Sequence, residues 1–221
     1  MKKLDMSTIL ASAIHESKNQ MGSLLYQLQE LKQSLSVEST NSQKITHIEE
    51  ALKKLNDDWV EYLYLYKLAS DGYELHSDTF LLEEFLDDQV FALQDSAATK
   101  NLALSFECDE NLHGIFDERL MVAVVSTAVY NAFRFAKTKV RLSASLENGY
   151  LIISIEDDGA GFNSEEENIE GAHESGTGLG LYFSQLSAEA HVIKERQGFI
   201  KKTASQVLGG AKLDIYLPQL P

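Results

Sequence analysis

Two glycine clusters in the second half of the chain constrain its fold more than any other feature. The first, "EDDGAGF" at residues 156–162, ends the alternating run "YLIISIED", so a strand finishes in acidic residues and glycine. The second, "SGTGLGLYF" at residues 175–183, stands where a helical pattern begins. Glycine lets a backbone come close to a ligand, and the free amides at a helix N-terminus favour a phosphate chain. The two clusters therefore predict a site for a phosphorylated ligand.

Individual residues in the two clusters suggest which ligand this is. The carboxylate of Asp157 can accept a hydrogen bond from the exocyclic amino group of adenine. The glycines expected to approach the base or the phosphates are Gly159, Gly161, Gly176, Gly178 and Gly180.

A polar pair on the preceding helix adds a third part of the pattern. The segment "DERLMVAVVSTAVYNAFRFAK" predicts a helix from Asp117 to Lys137. The amide oxygen of Asn131 is a hard ligand that can hold magnesium. Arg134 lies one turn further along, on the same helix face, where it could contact phosphate. An asparagine helix, an acidic glycine turn and a glycine-rich helix start, in this order, predict a nucleotide site.

These motifs resemble those of the GHKL ATPase superfamily, as found in the transmitter region of bacterial sensor histidine kinases. "VYNAFRFA" resembles the N box, "DDGAGF" the first glycine box and "GTGLGLYF" the second. The resemblance implies ATP and magnesium as cofactors, with Asn131 as the metal ligand. It also adds three residues to the expected nucleotide site, Phe135, Thr177 and Leu179.

A fourth motif lies near the N-terminus and resembles the phosphoacceptor H box. "HESKNQM" begins at His15 and interrupts an amphipathic helical pattern with a compact polar group. The resemblance implies that His15 receives a phosphoryl group from ATP and that Glu16 acts as general base. Asn19 lies one turn from His15, where its amide can position water against a partner's acyl phosphate. The implied function is autophosphorylation followed by transfer of the phosphoryl group to an aspartate of a response regulator. The resemblance also allows a phosphatase activity.

The first half of the sequence predicts a helical hairpin, residues 1–75. One amphipathic helix runs from about Met6 to Leu35, and a second from about Lys44 to Ser70, around the polar turn "SVESTNS". Two helices alone cannot cover so long an apolar stripe, so pairing with a second copy into a dimeric four-helix bundle is expected. The chain is therefore predicted to form a homodimer through this hairpin.

The second half, residues 76–221, predicts an α+β domain. Helices are expected on one face of a mixed sheet, which with the resemblance means a two-layer α/β sandwich of the GHKL type. A helix is expected from residue 77 to residue 100 with Asp78 as its cap. Asn148-Gly149 predicts a tight turn between two strands. Further strands are expected at residues 102–108, 192–196 and 211–217.

Composition excludes several other classes of protein. The formal net charge of −15, concentrated after residue 77, opposes binding to nucleic acid through its phosphates. No apolar run is long enough to span a membrane, and the N-terminus lacks a signal-peptide pattern, so a cytoplasmic protein without membrane insertion is expected. The single cysteine, Cys108, gives no indication of redox chemistry.

Departures from the family pattern leave alternatives open. Thr127 stands where family members usually carry an amide or an acid, and Gln20 replaces the usual proline after Asn19. Residues 164–175 contain five glutamates and no Lys or Arg, which would repel a triphosphate. One alternative is a histidine phosphotransfer or scaffold protein with a degenerate ATPase-like domain. Anti-sigma-factor kinases are another, but they lack the helical hairpin, and His15 in its motif argues against them.

Overall fold

A computed structural model of the protein describes residues 17, 21–28, 31, 40–70, 72–162 and 179–220. The chain divides into two compact units, Met1–Gly72 and Tyr73–Pro221. The division falls three residues before the boundary expected from the sequence.

The described part of the first unit is helical. Residues 21–28 form α1, and Thr40–Ala69 form α2, which begins inside the segment predicted as a polar turn. Met21 and Ile45 are buried, whereas Leu24, Ile48 and Leu55 are exposed. No helix among the described residues is both long and apolar enough to cross a membrane.

The second unit combines a mixed sheet with three helices. The described strands are β1 (Asp78–Leu81), β2 (Ala103–Glu107), β3 (His113–Phe116), β4 (Lys139–Glu147), β5 (Tyr150–Asp157), β6 (Val192–Ile193), β7 (Arg196–Gln197), β8 (Phe199–Ala204) and β9 (Ala211–Pro218). The described helices are α3 (Leu82–Thr99), α4 (Glu118–Phe135) and α5 (Leu179–Ala190). Five strands form the main sheet in the order β2-β4-β5-β9-β8, with β2 and β4 parallel and the other pairs antiparallel.

The core lies between this sheet and the helices that pack on it. Apolar residues of β5 such as Leu151 and Ile153 are fully buried, as are Leu120 and Val124 of α4. Burying one such side chain stabilises the fold by about 1.5–3 kcal/mol. The α+β two-layer sandwich expected from the sequence is confirmed.

The hairpin between β4 and β5 also forms as predicted. Glu147 pairs with Tyr150, and the two residues between them turn the chain. Asn148 and Gly149 have φ values of 52° and 76°, the left-handed backbone that a tight primed turn requires at both positions.

The start of α3 differs from the prediction. Asp78 does not cap α3: it begins β1, pairs with Phe116 of β3, and its carboxylate accepts from the adjacent Thr79 amide at 2.7 Å. Phe80 packs against Phe116 with ring centroids 5.0 Å apart. The helix begins at Leu82, after the backbone of "DTFL" has paired with a strand that the sequence analysis did not predict.

The C-terminal strands are more numerous than predicted. Residues 192–196 do not form one strand but the short pair β6 and β7, which turn at Lys194 with φ 57°. The edge strand β8 was not predicted, because its sequence "FIKKTA" places two lysines side by side and hides the alternation.

Asp117 joins the start of the second unit to α4. Its Oδ1 accepts from the Leu120 amide at 3.0 Å, which caps the helix. Its Oδ2 accepts from the Tyr73 hydroxyl at 2.9 Å and from the His76 amide at 2.8 Å. The chain entering the unit is therefore tied to the N-terminus of α4.

His191 is buried against the same helix end and must be neutral there. The Asp117 amide donates to its Nε2 at 3.0 Å, so the proton lies on Nδ1, which donates to the Ser187 carbonyl at 2.8 Å. Burial lowers the pKa of His191 below its usual value, against smaller opposing effects of Ser187 and Asp117. Protonation of Nε2 would place its N–H group against the N–H group of Asp117, so that two hydrogen-bond donors would face each other.

Stability should therefore depend on pH through His191. Its pKa is lower in the folded than in the unfolded chain, so below about pH 6.5 the unfolded state binds more protons. We expect the free energy of unfolding to hold above this pH and to fall below it, by up to about 1.4 kcal/mol per pH unit. Urea unfolding measured between pH 7.5 and pH 5 checks this. His191→Asn should remove that slope and the exposed-site control His113→Gln should keep it; an unchanged slope in His191→Asn would contradict the assignment.

Candidate functional site

Those predicted site residues of the second unit that the structure describes lie at or near the ends of α4 and β5 and the start of α5. Asp157 is the last residue of β5, Phe135 the last of α4, and Gly180 the second of α5. Two backbone approaches described below, at Gly159 and Gly180, bring these ends together. A strand end and a helix start therefore share one location, as the glycine clusters predicted.

Asp157 is buried with one of its carboxylate oxygens held from two sides. Oδ1 accepts from the Gly159 amide at 2.7 Å and from the Ala211 amide at 3.3 Å, and the backbone carbonyl accepts from Gly210 at 3.1 Å. The side chain as a whole is 4% exposed. In the part of the chain that the structure describes, no hydrogen bond to Oδ2 is recorded. One orientated acceptor is thus left for an amino group.

Glycine is required at two points around this carboxylate. A methyl group on Gly159 would collide with the backbone carbonyl of Phe135, and one on Gly210 would collide with Asp157 itself. Gly161 has φ 83°, a conformation that side chains disfavour. At these three positions the groups next to Asp157 are therefore backbone atoms and not side chains. The sequence analysis missed Gly210, although the pair Gly209-Gly210 ahead of an apolar strand was a signal.

Asn131 lies beside the start of α5. A methyl group on Gly180 would come within 2.9 Å of Asn131 Nδ2 and 2.8 Å of Thr127 Cγ2. The absence of a side chain at Gly180 therefore lets the N-terminus of α5 approach the asparagine helix. The structure brings Asn131 together with the end of the second glycine cluster.

Arg134 and Phe135 are both exposed at the end of α4. The Arg134 guanidinium carbon lies 5.3 Å from the centre of the Phe135 ring, a cation–π distance. Phe162, the last residue of the first glycine cluster, is similarly exposed, and Lys202 Nζ lies 5.7 Å from its ring centre. Each of these two motifs therefore contains an exposed aromatic ring with a cation near it.

Asp158 has a structural role that the sequence analysis did not assign. Its carboxylate accepts from the backbone amides of Lys137, Thr138 and Lys139 at 2.8–3.1 Å and from the Thr138 hydroxyl at 2.5 Å. Partial desolvation opposes ionisation, but these hydrogen bonds prevail and hold the pKa of Asp158 below its usual range. The second acid of "EDDG" therefore fixes the chain after α4 against the end of β5.

Several predicted residues cannot be compared with the structure. His15, Glu16, Asn19, Gly176, Thr177 and Gly178 lie outside the described residues. Leu179 is the first residue of α5. Within the described ranges, no group of three or more carboxylate, imidazole or thiol side chains is arranged to hold a metal.

Comparison with known proteins agrees with this geometry. A family model described as "Histidine kinase-, DNA gyrase B-, and HSP90-like ATPase" matches residues 116–221. Sensor histidine kinase CpxA of Escherichia coli (strain K12) is 25% identical over 196 residues, 81% of this chain and 40% of CpxA. The chain thus spans about two fifths of the length of the curated relatives it matches.

Two solved structures resemble the chain over most of its length. Acinetobacter baumannii histidine kinase AdeS has a TM-score of 0.63 and 17% identity, covering 91% of this chain and 96% of AdeS. Full-length ShkA in complex with AMPPNP has a TM-score of 0.64 and 19% identity, covering 94% of this chain and 44% of ShkA. Together with the family model and CpxA, they confirm the resemblance to sensor histidine kinases with a GHKL-type ATPase domain.

The close backbone approach at Gly159 should make this position intolerant of any side chain. We expect Gly159→Ala to lower the free energy of unfolding by about 1–3 kcal/mol, because a carbonyl group held in a helix end cannot move aside. Urea unfolding followed by circular dichroism measures the loss. Ala160→Ser adds one atom at the exposed neighbouring residue and should leave stability unchanged. If Gly159→Ala and Ala160→Ser have equal free energies of unfolding, Gly159 is not in tight contact with the Phe135 carbonyl.

Proposed function

Because residues 116–221 match the family model described as "Histidine kinase-, DNA gyrase B-, and HSP90-like ATPase", we propose that the second unit binds ATP with its adenine at Asp157. The observation that carries the proposal is the buried carboxylate, with Oδ1 bound by two amides and Oδ2 left as an acceptor. The exocyclic amino group of adenine is a donor of matching geometry. Gly159 lets the Phe135 carbonyl pack against the turn after Asp157, and Gly161 keeps the backbone beside it free of a side chain, so the base would meet backbone there.

The phosphates would lie between Asn131 and the start of α5. A helix N-terminus supplies unpaired amides and a positive dipole end, and Gly180 brings it to Asn131. Magnesium fits this donor set, because it is commonly bound through few protein ligands together with phosphate oxygens and water. Asn131 would hold the ion, which would neutralise charge on the phosphates. Arg134, Phe135, Thr177 and Leu179 complete the proposed nucleotide site.

Asp157→Asn should weaken nucleotide binding more than it weakens the fold. The substitution can turn an amide donor toward the adenine amino group, so that two donors meet in a buried place. We expect the affinity for ADP in titration calorimetry to fall about tenfold or more. Asp88→Asn, on the exposed side of α3, removes the same charge and should bind ADP like the wild type. If the folded Asp157→Asn protein bound ADP with wild-type affinity, the proposal that adenine binds at Asp157 would be wrong.

We propose further that the chain is a histidine kinase acting on His15, as the H-box motif implies. In this reaction an imidazole nitrogen of His15 attacks the γ-phosphorus, a nitrogen–phosphorus bond forms, and the bond to the bridging oxygen breaks to release ADP. Glu16 would take the imidazole proton. The phosphoryl group would pass to an aspartate of a response regulator, and Asn19 would serve a phosphatase reaction by orienting water. The relative CpxA, a sensor histidine kinase, supports the kinase proposal, and the structural neighbour AdeS, a histidine kinase, shares the fold.

Apolar side chains on the helical unit support the proposed homodimer. Leu24 of α1 is 48% exposed, and Ile48 and Leu55 of α2 are 50% and 44% exposed. Three large aliphatic groups exposed on two helices favour burial against another helical surface. A second copy of the hairpin, forming a four-helix bundle, would provide it. A cytoplasmic location stays a prediction from the sequence.

Kinase activity is tested by incubating the purified protein with magnesium and γ-labelled ATP. We expect a label that is labile in acid and stable in base, as a phosphoryl group on imidazole is. His15→Gln should abolish the label, whereas the matched control His113→Gln, at an exposed position on β3, should keep it. ADP binding without any label would instead favour the scaffold protein with an ATPase-like domain.

A further inference from the structure

A buried carboxylate lies immediately before Asp157, on the opposite face of the sheet. Successive residues of a strand point to opposite faces, so Glu156 points away from the proposed nucleotide site. It is 2% exposed, and its Oε2 accepts from Arg141 Nη2 at 2.6 Å and Nε at 3.1 Å. Arg141 also donates to Glu107 at 2.7 Å. The charge of Glu156 is therefore compensated, as a buried charge must be.

The other oxygen of Glu156 holds Ser205, the residue that follows β8. Ser205 Oγ donates to Glu156 Oε1 at 3.1 Å and accepts from the amides of Leu208 at 2.8 Å and Val207 at 3.3 Å. The Ser205 amide donates to the Gly210 carbonyl at 2.8 Å. One buried hydroxyl thus fixes both the start and the middle of the turn from β8 to β9.

The far end of this turn holds Asp157. The Gly210 amide donates to the Asp157 carbonyl at 3.1 Å, and the Ala211 amide donates to its Oδ1 at 3.3 Å. With the Gly159 amide also on Oδ1, the rotation of the carboxylate is restricted. A continuous chain of hydrogen bonds therefore runs from Arg141 through Glu156 and Ser205 to the side chain that would contact adenine.

We propose that Ser205, held by Glu156, is a positioning residue that sets the base selectivity of the site by orienting Asp157. The inference rests on the proposed nucleotide-binding function. Without the Ser205 hydroxyl the turn relaxes and the Ala211 amide leaves Oδ1, so the carboxylate is held by the Gly159 amide alone and can turn about that bond away from the adenine amino group. The contribution of that amino group is then lost, while phosphate binding at the start of α5 is unaffected.

The test compares ADP with inosine diphosphate, which carries a carbonyl oxygen in place of the exocyclic amino group. We expect wild-type protein to bind ADP about tenfold or more tightly than inosine diphosphate. In Ser205→Ala this ratio should fall to about threefold or less, through weaker ADP binding and unchanged binding of inosine diphosphate.

Ser154→Ala is the matched control. Ser154 is equally buried, lies on β5 two residues before Glu156, and donates to Asp214 Oδ1 at 2.6 Å without touching the turn. Removing the Ser154 hydroxyl breaks a buried hydrogen bond of the same kind as in Ser205→Ala. A loss of ADP preference that came only from damage to the fold should therefore appear in both variants. We expect Ser154→Ala to keep the wild-type ratio.

Each outcome decides between the inference and the function on which it rests. Wild-type protein that fails to bind ADP, or binds both nucleotides equally, overturns the adenine site and the inference with it. If the wild type prefers ADP and folded Ser205→Ala keeps that preference, the inference is overturned and the adenine site stands. The same holds if Ser205→Ala loses affinity equally for ADP and inosine diphosphate.

A second variant covers the case in which Ser205→Ala does not fold. Glu156→Met removes the acceptor of Ser205, and Arg141 retains Glu107. The ADP preference should fall in this variant as it does in Ser205→Ala. The wild-type ratio in folded Glu156→Met would overturn the inference.

Discussion

The carboxylate of Asp158 is the interaction on which the geometry of the candidate site depends. By binding three consecutive backbone amides after α4, it fixes the end of that helix against the end of β5. The Phe135 carbonyl then lies directly over Gly159, and Asp157 is held one residue earlier. Asn131, one turn before the end of α4, takes its place relative to Asp157 through the same junction. Hydrogen bonds to an ionised carboxylate are stronger than neutral ones, which suits a junction at a strand end.

The charge of the chain explains why this site is built from backbone. A protein of net charge −15 repels a polyphosphate at long range. Backbone amides and a helix dipole attract phosphate without adding a cation, and they act only at short range. Gly180 brings the start of α5 next to Asn131, where these groups would meet the phosphates in the proposed site. The proposed magnesium ion would supply the remaining positive charge.

Local sequence signals predicted the turn after β4 and the strand end at Asp157, but not the residues that support them. Asn148-Gly149 and Asp157 were identified because turn chemistry and a strand end depend on neighbouring residues. Asp78 was misassigned as a cap, because its pairing with Phe116 across 38 positions leaves no local trace. Ser205 was missed for the same reason, because its partner Glu156 is about fifty residues away along the chain. Gly210 had a local signal in the pair Gly209-Gly210, but its contact with Asp157 spans a similar distance and was not predictable. The roles of all the predicted site residues in nucleotide binding and phosphoryl transfer stay predictions.

The bonds from Tyr73 and His76 to Asp117 determine where the second unit can be cut from the rest of the chain. A fragment that starts at residue 76, the boundary suggested by the sequence, lacks the phenol that donates to Oδ2. It would leave the buried Asp117 carboxylate, 2% exposed, short of a donor at the helix start next to His191. A fragment that starts at residue 73 keeps both donors. The four residues from Tyr73 to His76, which contribute nothing to the main sheet, are therefore part of the smallest piece of this protein suited to independent expression.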